Sequence, residues 1–99
     1  MRLILTLVLL LAALPAQAQT APGSVLDAIV ARGTVRIGLT GDYRPFSIKD
    51  GAGAFTGLDV DLAESLAHGL GVKLEIVPTA WPTLMPDLQA GKFDLAMGG

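Results

Sequence analysis

The sequence predicts an α/β fold with a three-layer architecture, in which helices cover both faces of an open, mostly parallel sheet. Apolar strand-like runs alternate with segments of helical periodicity, in the order helix, strand, hairpin, helix, strand, helix, strand. The connections are short, and strands separated by helices with short connections join in parallel through right-handed crossovers. In such sheets ligands bind beyond the carboxyl ends of the strands, where the strand order reverses.

Residues 1–18 are expected to be a Sec signal peptide rather than part of the fold. Arg2 supplies a positive charge, and Leu3–Leu14 is an apolar run too short to cross a hydrocarbon core of about 30 Å. Pro15 ends the run, and Ala16-Gln17-Ala18 has the small-x-small pattern that signal peptidase reads. Cleavage after Ala18 predicts a periplasmic or secreted protein with no stable membrane insertion. A retained membrane anchor is the alternative.

Residues 19–23 form a polar linker, and the folded part is predicted to run from residue 24 to residue 99. The first helix is short. Ser24, followed by Asp27 three residues later, has the pattern of a capping box at a helix start. Gly33 ends the helix, because glycine tolerates the left-handed conformation found there. The first strand is predicted at Val35–Leu39.

The middle of the chain predicts a hairpin and a longer helix. Phe46–Lys49 and Ala54–Thr56 flank the turn residues 50–53 and form the hairpin. Asp59 is the predicted N-cap of a helix that runs through Leu70, and Gly71 ends it. Its apolar residues recur at helical spacing and are expected to form one buried stripe: Leu62, Ala63, Leu66, Ala67 and Leu70.

The last part of the chain predicts strand, helix and strand. The strands are expected at Lys73–Val77 and Phe93–Met97, and the helix from about Pro82 to Ala90. Proline is acceptable at the first helical position. Pro86 lies one turn further in and removes a backbone hydrogen bond, which predicts a local distortion.

Charge and composition favour a small solute as the partner. Seven basic side chains stand against nine acidic ones, without a basic cluster, which argues against nucleic acid and against an anionic membrane surface. The chain has no cysteine, so thiol nucleophiles and iron–sulfur sites are excluded. His68, the single histidine, lies off the apolar stripe and has no ligand-spaced partner. We therefore expect no metal site and no cofactor.

The segment Thr40–Ser47, which reads T-G-D-Y-R-P-F-S, carries unusually large side chains for a connection. Three of the five aromatic residues lie on or beside the loops at the carboxyl ends of the predicted strands. Large aromatic and charged side chains at this edge predict a ligand site. A packing role remains an alternative for Phe46 and for Trp81. The candidate ligand-binding residues are Thr40, Asp42, Tyr43, Arg44, Phe46, Trp81, Gly98 and Gly99.

The runs GTVRIGLTGDYRPFS, GAFTGLDVDLAESLAHGLGVKLEIVPTAW and LMPDLQAGKFDLAMGG resemble the N-terminal lobe of bacterial extracellular solute-binding proteins of family 3. The resemblance covers the chain from Ser24 to its end and implies one lobe, apparently truncated, of a two-lobed periplasmic-binding-protein-like fold. It also implies an amino-acid-like ligand in an interlobe cleft, with an ABC importer permease as a candidate partner. The sensor lobe of a membrane receptor is another role that the family permits.

Three positions depart from the common amino-acid receptors of the family and resemble the branch typified by cyclohexadienyl dehydratase. Thr40 stands where receptors carry an acid for the ligand ammonium, Arg44 replaces a proline, and Trp81-Pro82 replaces W-D. The resemblance implies a carbon–oxygen lyase that removes water and carbon dioxide from prephenate or arogenate. Arg44 suits bidentate binding of a carboxylate, and the general acid is expected from the second lobe. The sequence leaves two functions open, an enzyme and a receptor without turnover.

Overall fold

The computed structural model describes residues 23–98. The predicted signal peptide, residues 19–22 of the linker and Gly99 lie outside this range. None of the described helices is long and apolar enough to cross a membrane. The elements are α1 (Val25–Arg32), β1 (Thr34–Leu39), β2 (Asp42–Tyr43), β3 (Ser47–Lys49), β4 (Phe55–Thr56), α2 (Leu58–Leu70), β5 (Lys73–Pro78), α3 (Leu84–Gln89) and β6 (Leu95–Ala96).

The main sheet is parallel and has the strand order β5-β1-β6. β1 pairs with β5 along its whole length, from Thr34 opposite Lys73 to Leu39 opposite Pro78. Because β1 is central, the crossover through α2 and the one through α3 run in opposite directions. Right-handed crossovers in opposite directions place the two helices on opposite faces of the sheet. The predicted three-layer α/β architecture is therefore confirmed.

A second, antiparallel sheet has the order β2-β3-β4. Its β3-β4 pair is the predicted hairpin, in which Oδ1 of Asp50 accepts the backbone N–H groups of Ala52 at 2.8 Å and Ala54 at 2.9 Å. β2 was not predicted. Asp42 and Tyr43 pair with β3, so part of the segment predicted as a connection is a strand.

The core lies on one face of β1. Because successive strand residues point to opposite faces, Val35, Ile37 and Leu39 point together to this face and are fully buried. They pack with one side chain of α1 and three of α2: Ile29, Val60, Ala63 and Ala67. On the other face, the buried ring of Phe93 occupies the space over Gly38.

The predicted caps of α1 are confirmed. Oγ of Ser24 accepts the backbone N–H of Asp27 at 3.1 Å, and the Asp27 carboxylate accepts the backbone N–H of Ser24 at 3.4 Å. Gly33 ends the helix in the left-handed conformation, with φ 74°. A capping box satisfies N–H groups that have no partner inside the helix.

Two predictions for α2 are wrong. The N-cap is Gly57 rather than Asp59, which lies at the second helical position and is 7% exposed. Gly57 has φ 122°, and a Cβ on it would collide with the carbonyl group of Phe46, so the helix begins where only glycine fits. Leu62 is 53% exposed, because the buried face is centred on Ala63 and each helical residue advances about 100° around the axis.

The predictions at the end of the chain need two corrections. α3 begins at Leu84, two residues after Pro82, so Pro86 is its third residue. The first N–H groups of a helix have no intrahelical acceptor, so Pro86 removes no helical hydrogen bond and the predicted distortion has no cause. β6 is shorter than the predicted strand, although the backbone N–H of Met97 still reaches the carbonyl of Gly38 at 3.2 Å.

Candidate functional site

Two loops leave the carboxyl edge of the main sheet side by side. Leu39 lies opposite Pro78 in the register of β1 and β5. The backbone N–H of Thr79 then donates to the carbonyl of Leu39 at 3.0 Å. The segment after β1 and the segment after β5, which carries Trp81, therefore begin as neighbours. This is the edge at which the sequence predicts a ligand site.

The segment after β1 is braced from within. Gly41 has φ 75°, and its backbone N–H donates to Oγ of Ser47 at 3.1 Å. Ser47 is fully buried, and the carbonyl of Gly41 accepts the backbone N–H of Lys49 at 2.8 Å. Sequence reasoning missed Ser47 as a residue that shapes the site. A small hydroxyl residue directly after a loop of large side chains was the available signal.

The predicted aromatic residues come together into one cluster, formed by Tyr43, Phe46 and Trp81. The ring centroids of Tyr43 and Trp81 lie 5.6 Å apart, with the ring planes at 88°. Those of Tyr43 and Phe46 lie 4.9 Å apart, with the planes at 34°. Tyr43 is 40% exposed and Trp81 is 46% exposed, so this aromatic cluster presents ring surface to solvent. Such partly exposed rings at a strand-end edge are typical of ligand contact.

Asp42 and Gly98 also contact the aromatic cluster through Trp81. The indole Nε1–H of Trp81 donates to Oδ1 of Asp42 at 3.0 Å. A Cβ on Gly98 would lie 3.1 Å from Cη2 of Trp81, so the ring lies close against the Gly98 backbone. Five of the predicted site residues therefore lie together. Gly99 lies outside the described residues.

Thr40 and Arg44 stand apart from these contacts. Thr40 directly follows β1, and its Oγ1 is buried without a hydrogen-bond partner among residues 23–98. Buried polar groups are normally hydrogen-bonded, so an unpaired hydroxyl at this edge can serve a ligand. Arg44 is exposed, and none of the ion pairs in the described part of the chain includes it. Its guanidinium is therefore available to an anion.

A second polar network ties the segment after β5 to α3. Oγ1 of Thr79 donates to Oδ2 of Asp87 at 2.9 Å, and Nζ of Lys92 lies 3.0 Å from Oδ1 of Asp87. The hydrogen bond from Lys92, followed by the one from Thr79, lowers the pKa of Asp87 below its ordinary value of 3.8. Both favour the charged carboxylate. The network holds the start of the Trp81 loop against α3.

An apolar groove of about 470 Å³ adjoins the aromatic cluster. Trp81, Gly98 and Asp94 line it. The rest of the wall is made mostly of apolar side chains from α3 and from β6 and its flank: Leu84, Met85, Leu88, Leu95, Ala96 and Met97. Trp81 is thus shared between the groove and the aromatic cluster.

The sequence-family model of the bacterial extracellular solute-binding proteins, family 3, matches residues 35–99 of the chain. This range includes both strand-end loops and every candidate ligand-binding residue. The chain belongs to this family. The resemblance inferred from the sequence is confirmed, and so is the assignment of the fold as a lobe of periplasmic-binding-protein type.

Individual family 3 relatives include cyclohexadienyl dehydratases, the branch that the loop residues indicated, and an amino-acid-binding protein. Cyclohexadienyl dehydratase of Pseudomonas aeruginosa is 49% identical over 90 residues, which cover 91% of this chain and 32% of that protein. The crystal structure of an ancestral cyclohexadienyl dehydratase has a TM-score of 0.74 at 63% identity, covering 80% of this chain and 33% of that one. The structure of an ancestral cationic amino acid solute-binding protein has a TM-score of 0.73 at 56% identity, covering 77% and 33%.

The chain spans 32% of the curated dehydratase and 33% of each of these two solved chains. Its fold therefore corresponds to one portion of these longer proteins.

Proposed function

We propose that this chain is part of an exported solute-binding-fold protein, and that it recognises a small carboxylate or amino-acid-like ligand in an interlobe cleft. The proposed ligand contacts are the aromatic cluster, Gly98 and Arg44, which lies on the same segment as Tyr43 and Phe46. The observation that carries the proposal is the exposed guanidinium of Arg44, which has no ion pair in the described part of the chain and is adjacent in sequence to Tyr43, an exposed ring of the cluster. The rings suit an apolar ligand body, and the guanidinium suits its carboxylate.

We further propose that the ligand is of the prephenate type. Thr40 takes the position at which family receptors carry an acid for the ligand ammonium, and it contributes only a neutral hydroxyl. Prephenate carries two carboxylates and no ammonium, so it does not need that acid. The identity of 49% with a cyclohexadienyl dehydratase supports this ligand class.

In the dehydratase reaction, prephenate loses its ring hydroxyl as water and one carboxylate as carbon dioxide, and phenylpyruvate forms. A general acid must protonate the departing hydroxyl. Asp42 is the carboxylate that hydrogen-bonds to the aromatic cluster in the described part of the chain, and its Oδ1 accepts the indole N–H. We therefore assign Asp42 to the cleft wall and infer that the general acid comes from the second lobe of the whole protein.

A receptor without turnover is the second candidate function. It is favoured by the ancestral cationic amino acid solute-binding protein, which shares this fold at 56% identity. One fold serves both binding and catalysis, so the fold alone does not separate the two. The receptor would deliver its ligand to an ABC importer permease, or act as the sensor lobe of a membrane receptor.

The two functions are separated by incubating the full-length protein with prephenate and following the absorbance of phenylpyruvate. We expect product formation, at a rate that Arg44→Ala lowers. Lys73→Ala, at the end of β5 far from the candidate site, should leave the rate unchanged. The absence of turnover, together with a raised Tm in L-arginine, would favour the receptor. A protein that neither turns over prephenate nor binds L-arginine would contradict both functions.

Export has its own test. We expect the mature protein in the periplasmic fraction, with Gln19 as its first residue by N-terminal sequencing. A protein that retains Met1 in the membrane fraction would instead support the membrane anchor.

A further inference from the structure

We propose that Asp42 is a positioning residue, whose carboxylate holds the Trp81 indole in its place in the ligand wall. The bond that carries the proposal joins Nε1 of Trp81 to Oδ1 of Asp42 at 3.0 Å, across 39 positions of the chain. The proposal deepens the proposed function. Only its ligand-binding test rests on that function, and its spectroscopic test does not.

Burial alone does not determine the orientation of the Trp81 side chain. The residue is 46% exposed and lies in the turn between β5 and α3. Its ring meets the Gly98 backbone on one side and lies at 88° to the Tyr43 ring. Neither contact fixes the direction of the indole N–H, whereas a hydrogen bond does. Asp42 therefore supplies the directional contact that selects one orientation of the ring.

Asp42 stands on a paired strand, whereas the ring that it binds does not. It belongs to β2, where it lies opposite Ile48 of β3. In the turn before it, the backbone N–H of Gly41 donates to Oγ of Ser47, and Ser47 is a buried residue. The acceptor thus stands on a paired strand, while the donor stands on a turn. A site is held accurately when rigid elements orient its contact groups.

The orientation of Trp81 affects two surfaces at once. The ring is a member of the aromatic cluster and also lines the apolar groove. Removal of the Asp42 carboxylate is therefore expected to change ligand affinity through Trp81 rather than through a direct contact with the ligand. This expectation separates a positioning residue from a ligand-binding residue.

The spectroscopic test uses the 99-residue chain, in which Trp81 is the single tryptophan. Asp42→Ala is expected to lower the fluorescence anisotropy of Trp81 and to weaken its near-UV circular dichroism. Asp42→Asn keeps an oxygen acceptor and is expected to retain the wild-type signals. Glu64→Ala, an exposed carboxylate of α2, is the matched control. Far-UV circular dichroism checks that each variant folds. Unchanged Trp81 signals in a folded Asp42→Ala chain would overturn the proposal.

The ligand-binding test is a double-mutant cycle in the full-length protein, with prephenate and L-arginine as probes. Asp42→Ala is expected to weaken the binding of whichever probe the protein binds by about fivefold, which is the effect of losing one ordinary hydrogen bond. In the Trp81→Phe background, which lacks the indole N–H, Asp42→Ala is expected to have no further effect. Equal losses in both backgrounds would mean a direct ligand contact and would overturn the proposal. If neither probe binds, the proposed function fails, and the Trp81 spectra decide the positioning role.

Discussion

The ring of Phe93 fills the space over Gly38, so that a methyl group on Gly38 would lie 2.7 Å from two of the ring carbons. Phe93 is 2% exposed, and Gly38 lies opposite Ala96 in the pairing of β1 with β6. The missing side chain at Gly38 lets an aromatic ring cover the central strand. This packing positions the end of β6, from which Gly98 reaches the aromatic cluster.

Gly38→Ala is expected to lower the free energy of unfolding by about 1–3 kcal/mol, because an added methyl group overpacks a buried ring. Urea denaturation of the chain measures the change. Gly69→Ala is the control, since a Cβ there meets open space near the end of α2. It is expected to be neutral or to stabilise by up to about 1 kcal/mol. Equal midpoints for the two variants would contradict the packing described.

Ser47→Ala is expected to destabilise the chain by about 1–3 kcal/mol, because it leaves the backbone N–H of Gly41 without its buried acceptor. The loop before β3 should loosen, and ligand affinity should fall together with stability. Thermal unfolding and ligand titration measure the two effects. Ser65→Ala, at an exposed position of α2, should stay within about 0.5 kcal/mol of wild type. A neutral Ser47→Ala would mean that the loop is braced in another way.

Arg44→Ala is expected to weaken binding of prephenate by the full-length protein about tenfold or more, because a charge-assisted hydrogen bond to the ligand carboxylate is lost. Arg44→Lys should give an intermediate loss, since lysine keeps the charge without the bidentate geometry. Isothermal titration calorimetry measures the affinities. Lys73→Ala removes an exposed cation at the opposite end of β5 and should bind as wild type. Equal losses for Arg44→Ala and Lys73→Ala would indicate a general charge effect instead.

The Asp87 network predicts a loss of stability in acid. The hydrogen bond from Lys92 lowers the pKa of Asp87 in the folded chain below 3.8. The stabilisation that the charged Asp87 carboxylate gives the folded chain is therefore complete above the pKa of Asp87 in the unfolded chain. It is lost as the pH falls through the lower pKa of Asp87 in the folded chain. Unfolding followed from pH 5 to about pH 2 should show a smaller pH dependence in Asp87→Asn than in wild type. Lys92→Gln should lie between them. An unchanged dependence in Asp87→Asn would contradict the assignment.

Local chemistry was predictable from the sequence where the contacts are local. The capping box joins Ser24 to Asp27, three residues apart. At the other end of the helix, Gly33 bonds only to residues of the last turn. Residue type and short spacing alone therefore identified both ends. The start of α2 was not predictable in this way. It depends on Gly57 fitting beside the Phe46 carbonyl, and Asp59, which has the residue type of a cap, lies inside the helix.

The candidate site was predictable as a region but not as a set of contacts. Alternating strands and helices with short connections indicated that the loops after β1 and β5 share one edge, and Leu39 and Pro78 are indeed opposite each other. The bond from Trp81 to Asp42 required more than adjacency. It depends on the formation of β2, which a loop of large polar and aromatic side chains did not suggest.

The sequence by itself determined the α/β order of elements and the edge of the sheet where the candidate site lies, because both follow from periodicity and from residue types at short spacing. The family followed from the resemblance of its motifs to known proteins. The tertiary structure alone decided how Thr40–Ser47 is arranged. It turns the segment into a short strand braced by Ser47, directs Asp42 toward Trp81 and brings Gly98 against the same ring. These contacts join residues that are far apart in the chain, and their geometry exists only once the parallel sheet has brought the strand ends together.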